Sequence, residues 1–385
     1  MSTVPTIRVA IQQPTLAKYR VPQYRELARR AGLEVEVLYG NRGDVPNADP
    51  EGFRATPVDF RKWHVGRHPV YWHAAQLEAV RPERADVAIL SWDIHYASLP
   101  PALLRARKVG TPTVLWGHGY SKREGALKRR LRNRLGHLAT ALMVYNEAAA
   151  ERLRGEGFDA ERVFVALNSL DQAPMREQRR LWAERPDRLE AFRRENALTS
   201  GPVLLYVSRL EPRNRLDLLL EATARLRTSF PDLRLVIIGG GDDRRRLEGI
   251  AERLGIAPHV RFLGAVYDED KLAPWFLSAD LFVYPANIGL SLLHAFGYAL
   301  PVVTSDDVEA QNPEIEALEH GVNGLFYAAG SVEDLTKTLA RALGDREALH
   351  RMSAAAEATV RNRFNVETMA DGMEAAIRYA AARRK

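Results

Sequence analysis

The chain of 385 residues contains no cysteine. That absence excludes disulfides, thiolate nucleophiles and cysteine-built zinc sites, and it carries no information about compartment. Long hydrophobic runs are also missing: no apolar segment approaches the roughly 18 residues that a membrane-spanning helix needs. The opening stretch MSTVPTIRVAIQQP has no basic region followed by a long apolar core, so the expectation is a cytoplasmic protein without a secretion signal. Neither sign of charge is scarce. Lys and Arg number 55 against 49 Asp and Glu, a net charge of +6. That balance favours anionic partners without pointing to nucleic acid; phosphorylated small molecules and anionic lipid fit equally. The length allows two or three domains, and two is the expectation.

What is present is a repeated alternation. Short runs rich in Val, Ile and Leu are spaced by longer amphipathic stretches, the pattern of βα units around parallel sheets buried on both faces. One series of strand-like runs is IRVAIQ (7–12), EVEVLY (34–39), VAILS (87–91), PTVLWG (112–117), ALMVY (141–145) and RVFVA (162–166). A second is VLLYVS (203–208), LRLVIIG (233–239), VRFLG (260–264), LFVYP (281–285), PVVTS (301–305) and GLFYA (324–328). Residues 172–200 lie between the series, are polar and charge-dense, and read as a linker. The expected division is a domain over 1–185 and another over 186–364. The final stretch, 365–385, reads as an amphipathic helix; its docking surface does not follow from spacing, and the first domain is one place for it. The fold class expected is α/β, two doubly wound Rossmann-like domains with their strand C-termini facing a cleft.

Candidate chemistry gathers in YPANIGLSLLHAFGYALPVVTSD (284–306), where a strand runs through a Pro/Asn/Gly turn into a helix. The amides of Gly289, Leu290 and Ser291 open that helix, and free N–H groups at a positive dipole end suit a diphosphate; an ordinary strand–turn–helix connection is the alternative. In VSRLEPRNRLDLLLEA (207–222), Arg209 stands just beyond a strand end, followed by Arg213, Asn214 and Arg215. A guanidinium there can pair bidentately with phosphate, although loop arginines are commonly just solvated.

Together with IIGGGDDRRRLEGIAERLGIAPHVRFLGAV (237–266), these stretches resemble the nucleotide-binding half of the GT-B glycosyltransferases of family 4. That family shows a Gly-Arg-Leu loop with a downstream Lys, a Gly-rich turn, an Arg-Phe-Leu-Gly strand and a Glu-Gly-Phe-Gly-Leu-x-x-Leu-Glu-Ala segment. The resemblance covers residues 200–345 well and the rest more loosely. By it, Arg209 matches the phosphate-binding Arg, and Gly289, Leu290 and Ser291 match the amides that hold the diphosphate. The usual Lys falls on Asn214, and the paired Glu residues fall on Ala286 and His294, so this reads as an atypical branch. His294, in the place of the ribose-binding Glu, keeps one donor and one acceptor when neutral. NPEIEALEHGVNGLFY (312–327) places Glu314 or Glu316 beside the site, with Glu314 the better register match. In the N-terminal half the usual Gly-rich turn is replaced by QQPTLAKYRVPQYRELA (12–28), similar to a branch with a YRVP element, and LWGHGY (115–120) puts His118 where the family often carries a His near the anomeric centre.

The resemblance implies a retaining, metal-independent hexosyltransferase. It would move a sugar from a nucleotide diphosphate donor to a glycan, lipid-linked or small-molecule acceptor, with no cofactor beyond that co-substrate. His118, Arg209 and Glu314 are the catalytic candidates; Arg209, Asn214, Gly289, Leu290, Ser291 and His294 are the donor-binding candidates. The cationic loop makes a metal unnecessary, and SDD (305–307) reads as a loop. A binding protein of the same fold with altered or lost catalysis is the rival reading. A sugar-nucleotide epimerase is a third, and would need acidic residues not found here. The segment REGALKRRLRNRLGHLA (123–139) alternates cations with leucines; it is either a basic amphipathic helix lying on anionic membrane or a solvated surface helix.

Overall fold

Strands rich in β-branched residues fill both faces of a parallel sheet, and two such sheets organise this chain. The computed structural model describes residues 6–43, 45–120 and 125–384. One unit runs up to Asp171 and resumes at Val366; the other is Gln172–Asn365. Among the described residues no helix is long and apolar enough to cross a membrane.

Unit 1 contains β1 (Ile7–Gln13), β2 (Leu33–Tyr39), β3 (Arg54–Pro57), β4 (Phe60–Val65), β5 (His68–His73), β6 (Val87–Ser91), β7 (Thr113–Gly117), β8 (Ala141–Val144) and β9 (Val163–Val165). Seven of these form a parallel sheet in the order β3-β2-β1-β6-β7-β8-β9, while β4 and β5 make a separate antiparallel hairpin. Its helices are α1 (Val21–Ala28), α2 (Ala75–Ala79), α3 (Leu99–Val109), α4 (Ala126–Leu138) and α5 (Glu147–Gly155).

Unit 2 carries β10 (Val203–Val207), β11 (Arg234–Ile238), β12 (Val260–Gly264), β13 (Leu281–Val283), β14 (Val302–Ser305) and β15 (Gly324–Tyr327), all parallel in the order β12-β11-β10-β13-β14-β15. Around it lie α6 (Ala173–Ala183), α7 (Pro186–Glu195), α8 (Leu216–Leu226), α9 (Arg244–Arg253), α10 (Glu269–Ser278), α11 (Leu290–Gly297), α12 (Val332–Gly344) and α13 (Arg346–Asn362). Strand order reverses at β1/β6 in one sheet and at β10/β13 in the other, and loops leaving such switch points are where doubly wound sheets bind ligands. Fully buried Ile11, Leu38 and Ile89 anchor the first sheet, each worth about 1.5–3 kcal/mol relative to exposure.

The last helix, α14 (Val366–Ala381), belongs to unit 1. Met369, Met373 and Ile377 are fully buried in the core that also holds Val9 and Ile11. Gly372 permits this approach, since a Cβ there would stand 2.1 Å from the Val165 carbonyl oxygen.

Two expectations meet a different outcome. The segment 172–200 is not an extended linker but forms α6 and α7, and both belong to unit 2, so the expected boundary at 185/186 falls between two helices of one unit. Sparse apolar residues suffice to dock them: Met175 is 2% and Trp182 9% exposed, and Phe192 lies edge-on to Trp275 at 4.8 Å. The strands β3, β4 and β5 were not anticipated, because RATP has no apolar run and FRKWHV interleaves its apolar residues with cations.

Behind the C-terminal end of β1 lies a buried polar cluster. Gln12 Oε1 accepts from the Ser91 amide at 2.9 Å and from Gln76 Nε2 at 3.2 Å, so Gln12 Nε2 is the donor to His73 Nδ1 at 2.8 Å. The His73 proton therefore sits on Nε2, and burial holds its pKa down to about 4. An unfolded His takes up a proton near pH 6.5. Between these values the unfolded chain binds more protons than the fold, so stability falls as pH is lowered through this window, by up to about 3 kcal/mol for this group. Urea unfolding from pH 7 to pH 4 should show that slope, and His73→Gln should flatten it; an equal slope in the variant would assign the acid sensitivity elsewhere.

Candidate active site

The chain leaves β10 at Val207 and must pass the glycine turn that follows β11. Ser208 and Leu210 donate backbone bonds to Ile238 and Gly240 oxygens at 3.0 and 2.9 Å. A Cβ at Gly239 would lie 1.8 Å from the Ser208 oxygen, and one at Gly241 would lie 2.2 Å from the Leu210 oxygen. Only glycine lets the two loops lock together, and the lock holds Arg209 outward with its side chain exposed. Among the described residues nothing accepts a hydrogen bond from its guanidinium.

Asn214 secures this loop from beneath. It is 2% exposed, and its Nδ2 donates to the Arg209 carbonyl at 2.8 Å and the Tyr206 hydroxyl at 3.0 Å, while its Oδ1 accepts from Asn287 Nδ2 at 3.3 Å. Tyr284 donates to Ser208 Oγ at 3.1 Å, and burial raises the pKa of both Tyr206 and Tyr284, keeping them neutral donors. The amide of Asn214 is thus engaged within the loop and does not stand in for an exposed cation. Arg213 is paired with Glu211, and Arg215 with Asp217 at 3.0 Å.

The neighbouring turn after β13 is shaped the same way. Asn287 takes a left-handed φ of +63°, a conformation Asn tolerates and β-branched residues resist. The Ile288 amide donates to Gln311 Oε1 at 2.7 Å, and Asn312 Nδ2 donates to the oxygens of Asn287 and Ile288 at 3.1 and 3.0 Å. With these groups satisfied, the amides of Gly289, Leu290 and Ser291 are left at the start of α11, without an acceptor among the described residues. Gln311 and Asn312 escaped sequence reasoning; the polar run AQNP after the PVV strand was the available signal.

His294 stands one turn into α11 and is directed to α10. Its Nε2 donates to Glu269 Oε1 at 2.9 Å, and Tyr298 donates to the same oxygen at 2.5 Å; the ring lies 4.5 Å from that of Phe276. Tyr298 is held neutral, first by burial and then by this carboxylate. A carboxylate therefore does stand beside position 294, carried by another helix. Glu314 is 4% exposed in the short turn Pro313–Ala317. Asp306 accepts from the Ala329 amide at 2.9 Å and Asp307 caps the turn Val308–Ala310, so the SDD carboxylates organise backbone.

In unit 1, His118 follows β7, exposed, with its ring 5.0 Å from that of Tyr145. Gly117 is pressed against the Trp92 backbone, and Gly119 takes φ +72°. Arg20, from the YRVP element, is 7% exposed, with its guanidinium 5.2 Å from the rings of Tyr19, Trp116 and Tyr145. Along α4 the leucines do not share one environment: Leu127 and Leu131 are 80% and 47% exposed, whereas Leu135 is buried. Arg132 is buried too, bonded to Glu156 at 2.7 Å, so it is not part of the cationic face expected of 123–139. Residues 123 and 124 lie outside the described residues.

Family models match both units: "Glycosyl transferase 4-like domain" over residues 16–168 and "Glycosyl transferases group 1" over 187–359. The chain belongs to the group 1, family 4-like glycosyltransferases. It is accordingly a retaining transferase that uses a sugar nucleotide. A GDP-mannose-dependent alpha-(1-6)-phosphatidylinositol monomannoside mannosyltransferase of Mycobacterium tuberculosis is 27% identical over 71% of this chain and 72% of its own length. A D-inositol 3-phosphate glycosyltransferase of Geodermatophilus obscurus is 34% identical over 51% of this chain and 44% of that protein. Anabaena Alr3699/HepE, solved in complex with UDP, shares the GT-B fold at a TM-score of 0.71 and 17% identity, over 96% of this chain and 98% of that one.

If Asn214 holds the donor-side loops of this transferase, Asn214→Ala should lower stability by about 1–3 kcal/mol through the buried groups it strands. It should also weaken nucleoside diphosphate binding although Arg209 is untouched. Calorimetry on the folded variant checks this, and wild-type affinity would separate the Asn214 clip from ligand binding.

Proposed function

We propose that unit 2 of this glycosyltransferase grips the diphosphate of its donor with the Arg209 guanidinium and the amides of Gly289, Leu290 and Ser291. The observation that carries the reading is the Asn214–Asn287 bond of 3.3 Å, which ties the loop bearing the cation to the turn bearing the amides. His294, oriented by Glu269, binds the ribose side, and Glu314 assists at the donor sugar. Ala286 offers no hydrogen bond there, which fits a donor other than the family's usual one. Asn214 acts by positioning Arg209.

The anomeric carbon–oxygen bond to phosphate breaks through an oxocarbenium-like state while the acceptor oxygen bonds to the same face. The acceptor's hydroxyl proton passes to the departing phosphate oxygen. Arg209 and the three amides stabilise the charge growing on that diphosphate, as preorganised donors do for developing anions, so the step proceeds without a metal. His118 hydrogen-bonds the donor sugar or the acceptor. Relatives named for phosphatidylinositol monomannoside and inositol 3-phosphate support a lipid-linked or small-molecule acceptor, and a glycan fits the same chemistry. We place this work at the cytoplasmic face, with α4 meeting anionic lipid through Leu127, Leu131, Lys128, Arg129 and Arg134.

Arg209→Ala should lower turnover by roughly 10²-fold or more without unfolding the chain. EDTA should leave the wild-type rate nearly intact. Unchanged transfer by the variant would remove Arg209 from the mechanism, and a chelator-abolished rate restored by Mg²⁺ or Mn²⁺ would contradict the metal-free step.

His294→Ala and Glu269→Gln should both raise the donor KM and weaken free nucleotide binding, because they disturb one pair. His118→Ala should instead lower kcat more than nucleotide affinity. Equal calorimetric affinity of His294→Ala and wild type would end the ribose assignment.

A further inference from the structure

We propose that the β4–β5 hairpin is a membrane-contact element whose outward face enters the interfacial layer of an anionic bilayer. Antiparallel register assigns the two faces, because directly paired residues project to the same side. Phe60↔His73 and Lys62↔Tyr71 form one set, and Val65↔His68, Trp63↔Val70 and Arg61↔Trp72 the other. The base of the first set turns inward, where Phe60 packs within 5.6 Å of Tyr71 and 5.3 Å of His73, while Lys62 nearer the tip is exposed. Backbone bonds of 2.8 Å join Tyr71 to His95 and Ala97, fixing the base of the hairpin to unit 1.

The second set carries Trp63, Val65, Val70 and Trp72 between Arg61 and His68, and its tip faces solvent. Trp63 is 42% and Val65 62% exposed, and neither Trp63 nor Trp72 has a ring or hydrogen-bond partner among the described residues. Exposed Trp63 and Val65, continued by half-buried Val70 and Trp72 on the same face of a hairpin built of backbone pairing, call for an occupant.

Charge selects which occupant. Residues 60–73, FRKWHVGRHPVYWH, contain no Asp or Glu. The neighbouring Asp59 is paired with Arg61 at 2.8 Å, leaving Lys62 and Arg67 as exposed cations around the tip. A second copy of the chain would oppose cation to cation. A polyanion in water would leave Val65 and both indoles wet. An anionic lipid surface satisfies both features: indoles favour the headgroup boundary and cations favour its negative potential. The inference is independent of the donor chemistry and of the α4 contact proposed above.

The test uses the full chain, sedimented with phosphatidylcholine vesicles with and without phosphatidylglycerol. Wild type should bind the anionic vesicles. Trp63→Ser with Val65→Ser should lower that binding roughly ten-fold or more, and Lys62→Gln with Arg67→Gln should do so by a similar factor. Circular dichroism and retained transfer to a water-soluble acceptor confirm that these surface variants fold. Brominated lipid should quench tryptophan emission in wild type and less in Trp63→Phe. A separate variant, Lys128→Gln with Arg129→Gln and Arg134→Gln, reports on α4. Hairpin variants that bind as wild type while the α4 variant does not would overturn the hairpin and leave the helix. Loss with the cation variant alone would overturn insertion, and a change of oligomeric state in Trp63→Ser without loss of vesicle binding would assign the face to a second copy.

Discussion

The joining of cation and amides in the proposed diphosphate grip depends on one buried amide. Asn214 holds the Arg209 carbonyl and the Tyr206 hydroxyl with its nitrogen and receives Asn287 with its oxygen. A hydrogen bond contributes only about 1 kcal/mol net, but stranding its buried partners costs more, so this clip is defined by what its loss would leave unsatisfied. β10 and β13 are neighbours in the sheet; their loops begin side by side, and Asn214 converts that proximity into fixed geometry. Donors already in place need no reorganisation when charge develops, which is where such sites gain their advantage in water-poor surroundings.

Two further cations stand near Arg209 in the proposed grip, Arg213 and Arg215, each in an ion pair. Exposed ion pairs are worth about 0–1 kcal/mol. By that measure both the Arg213–Glu211 and the Arg215–Asp217 pairs are cheap to break. Backbone distinguishes them. Arg215 occupies a left-handed conformation, φ +54°, immediately before α8, and meets Asp217 through both Nε and Nη2. Arg213 has a side chain 68% exposed and one carboxylate partner in the flexible reach of Glu211. Under the proposed grip, Arg213 rather than Arg215 is the cation free to turn to a diphosphate without rearranging the loop backbone.

How much of this was legible in the sequence follows the range of the interactions. Each of the twelve anticipated apolar runs contains a strand; the central ones are buried on both faces and leave an unambiguous signature, while the edge strand β12 is only half-buried. β3 and the hairpin lack that signature: they are held by backbone pairing and a few aromatic contacts. The helices of 172–200 are amphipathic through only a handful of residues, Met175 and Trp182 among them, and their charge density reads as linker. At the site, the Arg209 loop and the 285–291 turn were visible as local motifs. Glu269, Gln311 and Asn312 were not, since each acts on a residue more than twenty positions away. Arg132 shows the opposite error, a cation counted with a solvated face because helical spacing cannot reveal Glu156 beneath it.

Under the proposed match of positions 286 and 294 to the family's paired carboxylates, their replacement has a physical reading. Two unit charges about 4 Å apart interact by about 4 kcal/mol at an effective dielectric constant of 20, an upper scale for what a carboxylate at 286 would cost a nearby phosphate. Ala286 removes that repulsion together with a hydrogen-bonding partner for the sugar. Beside His294 a carboxylate is supplied from α10, where Glu269 Oε1 receives both His294 and Tyr298, so its charge is shared between two donors. Under the proposed donor reading, the altered pattern weakens the acidic contacts to ribose and sugar while leaving the phosphate grip whole. That is a change in which donor is preferred, made without dismantling the groups that stabilise its departure.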